Sequence, residues 1–325
     1  MVANLRNQTD NIPSRQTGDD GEIPPLLDLK FWNDQLPSLS ETYQSSGPFP
    51  HIQLDDFLDH DAALNASDAF PAVEDAGWIH YVHLNEKKHG LNKRDLLPEY
   101  LSTVIDELNS PEFCRFLSEL TGIPNLLPDD SLEGGGLHQS KRGGFLNVHA
   151  DFTVHPHQSR WRRRVNLLIY LNPDWKPEYR GELELWERDM SRCSRRILPL
   201  LNRAVIFNTD EDSYHGLPDP IQCPDGMTRK SIALYYFTEE AAPPKRVWTN
   251  YRSRPTDGFK SALIWLDKRL VWTYSTIKSR LGLDDEFVSR VLNFLSGGKQ
   301  KQTTTTLPFP KPKDSDDSQK QSRAA

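Results

Sequence analysis

The sequence predicts an α+β chain built around a β-rich core of the sandwich, jelly-roll or barrel kind, with helices before and after it. Three observations lead there. From about 136 to 240 the hydrophobic period is two, in short apolar runs separated by turn residues such as "NPDW" and "PDG", with no alternating helices. From 51 to 125, and again beyond 256, the period is helical. The 325 residues are 36% hydrophobic, 10% aromatic and 26% charged, a balance that can bury a sizeable core and is too apolar for a wholly disordered chain.

In chain order, residues 1–24 and 298–325 are polar and compositionally biased, and are expected to be disordered tails. Residues 25–135 form a support region. Within it "HIQLDDFL" reads as a short strand running into a helix cap, and "PEYLSTVIDELNSPEFCRFLSELTG" as two helices opened by Pro98 and Pro111 and stopped by Gly122. The core, 136–242, holds candidate strands at 144–154, 165–171, 182–186, 204–208 and 231–237. A helical extension is expected over 243–297: a Pro- and Arg-containing link at 243–256 opens it, and beyond the link Phe259, Leu263, Leu266, Leu270, Tyr274, Ile277 and Leu281 make one apolar stripe. That stripe is expected to pack on its own domain, with a homodimer through these helices as the other use.

The net charge of −7, from 39 basic and 46 acidic residues, argues against a general polyanion binder. "RWRRR" at 160–164 is the local exception, and the expectation for it is a solvated loop or an anionic-substrate contact rather than nucleic acid. Three scattered cysteines indicate neither a disulfide framework nor a thiolate zinc site. No apolar run approaches the roughly 18 residues that span a bilayer, and the N-terminus lacks the apolar core of a secretory signal. The expected setting is cytoplasmic, without membrane attachment, and the glycosylation patterns at Asn7 and Asn65 are expected to be chance matches.

"NVHADFTVHPH", residues 147–157, concentrates three of the ten histidines. On a strand, positions i and i+2 share a face, so His149 and Asp151 present an imidazole and a carboxylate side by side. A second imidazole from elsewhere would complete the two-histidine, one-carboxylate triad that holds Fe(II) by one face and leaves adjacent positions open. His215, in "DSYHGLPDP", is the outstanding candidate, and His155 and His157 are local competitors expected to stand in a solvated loop at the mouth of the site. If the open positions take 2-oxoglutarate, its far carboxylate needs a cation. Arg229, leading the strand "RKSIALYYF" with Ser231 on the same face, is placed to supply one.

"GGFLNVHAD", "RRRVNLLIYLNPDWKPEYRGELELW", "SYHG" and "TRKSIALYYF", in this order over about 140–238, resemble the Fe(II)- and 2-oxoglutarate-dependent dioxygenases of the prolyl 4-hydroxylase type. The resemblance implies a double-stranded β-helix, or jelly roll, with N-terminal buttressing helices. It implies iron on His149, Asp151 and His215, and 2-oxoglutarate on Arg229 with help from the Tyr170 hydroxyl. Asn166 falls on the face of Tyr170 by period two and is expected to line the pocket. O2 is the implied oxidant and L-ascorbate an implied reductant. The usual Gly-Gly of the third block is "RGE" here, at 180–182, and the stretch from His215 to Arg229 is long. Asp151, where a small residue would leave room for halide, points to hydroxylation.

The activity so implied is hydroxylation of an unactivated C–H bond, with a prolyl residue of a protein or peptide as the first substrate expectation. A free amino acid, a glycan or another small molecule fits the same core, because the fold and iron site fix the chemistry and not the target. An oxygenase acting on nucleic acid and a catalytically silent binding protein are the remaining alternatives.

Overall fold

The computed structural model describes residues 26–258 and 261; the chain divides into two compact units, Met1–Asp267 and Lys268–Ala325, and all described residues lie in the first. The apolar stripe from Phe259 to Leu281 and both polar tails fall outside the described residues.

Five helices and thirteen strands make up the described part. Helices α1 (Leu29–Asp34) and α2 (Leu36–Ser45) precede β1 (His51–Leu54), and α3 (His60–Asp68) follows it. A hairpin of β2 (Ile79–His83) and β3 (Glu86–Leu91) leads into α4 (Glu99–Leu108) and α5 (Pro111–Thr121). The strands β4 (Leu127–Pro128), β5 (Gly136–Ser140), β6 (Phe145–Ala150), β7 (Trp161–Tyr170) and β8 (Leu183–Trp186) come next. The chain continues through β9 (Cys193–Ile197), β10 (Arg203–Asn208), β11 (His215–Leu217), β12 (Arg229–Glu239) and β13 (Asn250–Tyr251). Helix boundaries follow local chemistry. Asp59 caps α3 by accepting from the Asp61 and Ala62 amides, Ser110 caps α5 ahead of Pro111, and Gly122 ends α5 at a φ of 70°. Pro98 sits at the N-cap of α4.

All strands join one antiparallel sheet, in the order β1-β10-β7-β12-β5-β3-β6-β11-β8-β9, with β2, β4 and β13 added at the side. This path contains two four-strand runs, β5-β12-β7-β10 and β6-β11-β8-β9, bridged by β3. Phe49, Tyr170, Val205 and Phe207 from the side of the first run pack against Leu183, Leu185 and Ile197 of the second. Two such runs closed over a common interior are a double-stranded β-helix, the jelly roll expected from the sequence.

Period two explains how one strand serves two cores. On β10, Ala204 and Ile206 face the helices while Val205 and Phe207 face the second run. The helical side is the larger core, where Leu167, Ile169, Ile232 and Leu234 meet Leu101, Phe113 and Leu117. Helices α4 and α5 thus back the sheet whose other face builds the site.

The structure departs from the sequence reading in three places. The strand expected over 144–154 ends at Ala150, so Asp151 is the first residue beyond it. "RWRRR" is no solvated loop: residues from Trp161 onward are strand β7, and Arg163 is buried. The region 51–125, read as mainly helical, contains the β2–β3 hairpin, whose polar residues on both faces give no apolar alternation to detect. Residues 243–256, read as a link, lie along β6 and the residues after it, with Val247 and Thr153, Asn250 and Ala150, and Arg252 and Val148 paired through their backbones.

Candidate metal centre

His149 and His215 are cross-strand partners, one on β6 and the other on β11, and their ring centroids lie 4.5 Å apart. Each ring is oriented by the same device. Nδ1 of His149 donates to the Asn147 carbonyl at 2.9 Å, and Nδ1 of His215 donates to the Ser213 carbonyl at 2.9 Å. A carbonyl can only accept, so Nδ1 carries a hydrogen in both rings, and in the neutral imidazole the lone pair is then on Nε2. Those two Nε2 atoms face Asp151, at 3.4 Å from Oδ1 for His149 and 3.5 Å from Oδ2 for His215. One donor atom from each residue falls within 4.8 Å of the other two. Among the described residues this is the one such group of three or more histidine, cysteine or carboxylate side chains.

Burial favours the neutral form of His215, and with the neighbouring His149 it drives the pKa down to about 4, against the pull of Asp151. Asp151 is shifted the other way. Burial works against its charge, but Arg163, then His215 and His149, hold its carboxyl well below the usual range. The arrangement is therefore an ionised carboxylate beside two imidazoles, one of them, His215, held neutral by burial, and two imidazoles with a carboxylate are a donor set suited to a divalent first-row metal.

Arg163 is the functional residue that sequence reasoning missed. Its guanidinium donates to Asp151 Oδ2 at 2.9 Å and to Asn166 Oδ1 at 2.9 and 2.7 Å. Asn166 in turn donates through Nδ2 to the same Asp151 oxygen, at 2.9 Å. The Arg163 carbon lies 3.4 Å from the Tyr235 ring centroid and 4.6 Å from that of Phe152, so the cation is sandwiched. Counting by twos from Tyr170 puts Asn166 inward and Arg163 outward. A bulge changes that parity: Val165 pairs with Tyr236 and Arg163 with Phe237, leaving Arg164 unmatched. Asn166, expected to line the pocket beside Tyr170, is thus tied to Asp151.

The residues expected to hold 2-oxoglutarate form a second group. Tyr170 on β7 and Ser231 on β12 are register partners, and His138 on β5 pairs with Ser231 from the other side. Arg229 is buried and lies 4.7 Å over the Tyr170 ring. Its Nε donates to the Gly181 carbonyl at 2.8 Å, and among the described residues no carboxylate comes within ion-pairing distance of it. Gly181, at a φ of 80°, permits this approach, because a Cβ there would stand 3.2 Å from Arg229 Cδ. The buried Tyr170 hydroxyl makes no hydrogen bond of normal geometry, although the guanidinium is beside it. An unpaired buried cation next to an orphaned buried hydroxyl is costly unless an anion is received there. His138 stays neutral, pushed to about 3 by burial and then by Lys88.

The local competitors for the metal lie elsewhere. His155 is buried, not solvated at a mouth: its Nδ1 accepts from the His157 and Gln158 amides, and its Nε2 faces Asp129 Oδ2 at 3.4 Å. His157 is exposed and paired with Glu133. The basic cluster is largely neutralised, with Arg160 on Glu239, Arg162 on Asp210 and Arg164 on Glu240. Tyr251, from the segment after the sheet, covers His149 at 5.4 Å between centroids, and its position is set by pairing with β6.

Residues 135–237 match the family model of the 2OG-Fe(II) oxygenase superfamily. No curated protein matches the chain. A prolyl 4-hydroxylase of Pseudomonas putida is 16% identical with a TM-score of 0.44, over 63% of this chain and 100% of that one. A Trichoplax adhaerens prolyl hydroxylase, solved with a peptide fragment of the oxygen degradation domain of hypoxia inducible factor, is 18% identical with a TM-score of 0.44, over 64% and 91%. A prolyl 4-hydroxylase of Phytophthora capsici is 19% identical with a TM-score of 0.44, over 76% and 78%. The match to the 2OG-Fe(II) oxygenase superfamily thus spans about a third of this chain, the part that carries both histidines and the aspartate.

Proposed function

We propose that this protein is an Fe(II)- and 2-oxoglutarate-dependent dioxygenase that hydroxylates a prolyl residue of a protein or peptide. The observation that carries the oxygenase reading is the pairing of two features in one jelly roll: the His149, Asp151 and His215 donors, and a buried Arg229 that has no counter-ion among the described residues. The prolyl assignment rests on the sequence blocks, and an aromatic lining of Phe152, Tyr235 and Tyr251 near the triad suits a pyrrolidine ring. A cytoplasmic setting and ascorbate as reductant belong to the same reading.

Nε2 of both histidines and one Asp151 oxygen would hold the iron. Arg163 and Asn166 donate to Oδ2, so Oδ1 is the Asp151 oxygen that would be left to hold the metal, and three protein ligands would leave room for co-substrates. Arg229 and the Tyr170 hydroxyl would take the far carboxylate of 2-oxoglutarate, with Ser231 adjacent, fixing the co-substrate's orientation. Bound Fe(II) with 2-oxoglutarate and O2 supplies the oxidising chemistry: one oxygen atom enters the substrate C–H bond, the other enters succinate, and CO2 leaves. Tyr251 and the half-buried aromatic pair around Arg163, Phe152 and Tyr235, would limit the access of water to the metal-facing side.

The test is turnover of 2-oxoglutarate to succinate by the full chain with Fe(II), ascorbate and a library of proline-containing peptides, with products read by mass spectrometry. A +oxygen product on proline, lost in H149A/D151A, is expected. Substituting Arg229→Leu is expected to weaken 2-oxoglutarate binding about tenfold to a hundredfold while leaving metal binding intact. Coupled turnover that survives in H149A/D151A sinks the oxygenase reading; oxygen found only on non-prolyl products sinks the substrate assignment alone.

A further inference from the structure

The β2–β3 hairpin carries two histidines that the oxygenase reading leaves unused. His80 and His89 are direct cross-strand partners, so both side chains leave the same face of the ribbon. Their Nδ1 atoms stand 2.8 Å apart, with ring centroids at 4.8 Å and the planes nearly perpendicular at 82°. His80 is exposed and His89 half-buried, so solvent reaches the pair. A carboxylate is close by. Glu74, ion-paired with Lys141, lies near enough to His89 for their charges to interact.

We propose that His80 and His89 form a second metal site, chelating one Cu(II)-type divalent ion through their two Nδ1 atoms. Metal–imidazole bonds are about 2.0–2.1 Å long, so two nitrogens in cis positions of a tetragonal centre stand about 2.9 Å apart, against about 3.3 Å at a tetrahedral one. The observed separation matches the tetragonal case without movement of either strand. It also matches an N–H···N hydrogen bond, which is what the metal-free pair makes. Chelation needs the shared hydrogen to move to the far ring nitrogen of its own imidazole and both rings to turn so that the two Nδ1 lone pairs converge on the ion; no proton is lost overall. Burial, then the neighbouring charges of His80 and Lys141, lower the His89 pKa to about 4, which keeps that ring in its ligating, neutral form. An ion there would join the two strands of the hairpin, whose inner strand β3 bridges the two runs of the jelly roll. The site does not rest on the oxygenase reading.

The experiment is a Cu(II) titration of chelator-stripped full-length protein, followed by calorimetry and electron paramagnetic resonance. Wild type is expected to bind one more equivalent than H80Q/H89Q, and the spectrum of that equivalent is expected to show coupling to two imidazole nitrogens. H149A/D151A is expected to retain it. Circular dichroism establishes that the variants are folded; should H80Q/H89Q not fold, H89Q alone is expected to weaken the equivalent at least tenfold. Unchanged stoichiometry and spectrum in either hairpin variant overturn the proposal.

Discussion

Two buried arginines at the site stand in opposite circumstances. Arg229 has no carboxylate partner among the described residues, whereas Arg163 is paired with Asp151, bonded to Asn166 and stacked between two aromatic rings. Removing one partner of a buried pair leaves the other charge stranded, which costs about 3–5 kcal/mol. Substituting Arg163→Met is therefore expected to destabilise the metal-free protein by about that amount in urea denaturation, and to weaken Co(II) binding at the triad, because Asp151 loses the contact that keeps it ionised and oriented. Arg163→Lys keeps the charge but not the forked geometry, and is expected to fall between. A metal-free Arg163→Met variant as stable as wild type would refute the clamp. The sequence made the two arginines unequal in a different way. Arg229 was legible because it follows a histidine and leads an apolar strand. Arg163 was not, since counting by twos assigns it outward and only the bulge at Arg164 turns it in.

The same contrast holds between elements. Helices α4 and α5 were legible because their apolar residues recur at helical spacing and their ends carry Pro98, Pro111 and Gly122. The β2–β3 hairpin was hidden, because a ribbon that is polar on both faces has no alternation to read. The loop between β6 and β7 was misread for another reason: its histidines stand around Pro156 and resemble solvated loop residues, yet His155 is the buried pin of that loop. Its Nδ1 accepts two backbone amides, so its Nε2 carries the hydrogen toward Asp129. Asp129 also accepts from the Ser131 hydroxyl and from the Ser131 and Glu133 amides. Burial opposes its charge, but the facing His155 ring, then the Ser131 hydroxyl and the Glu133 amide, lower its pKa. Asp129→Asn keeps the shape and removes the charge, and is expected to cost about 1–3 kcal/mol in denaturant midpoint experiments. A cost within error would mean that the loop is held by Thr153 and Val247 instead.

At the scale of the whole described unit, the jelly roll is closed by segments from outside the residues that match the family model. Glu86, on β3, is where three of them meet: its carboxylate is 2.7 Å from His83 Nε2, 3.1 Å from Lys88 Nζ and 3.5 Å from the Tyr251 hydroxyl. Burial alone would raise the pKa of this group, but Lys88 and His83 outweigh it and bring the carboxyl from 4.5 down to about 2. A depressed carboxyl stabilises the fold above its unfolded pKa, and that stabilisation fades as pH falls through the folded value. The window is therefore from about pH 4.5 down to about pH 2, and the most that this shift can contribute is about 3 kcal/mol. Glu86→Gln, which keeps the size and loses the charge, is expected to be less stable than wild type at pH 7, with the gap narrowing steadily between pH 4.5 and 2. Denaturation of both proteins across that range measures it. A gap that stays constant with pH would mean that Glu86 acts through its packing alone and that its charge does not hold the hairpin to the C-terminal segment.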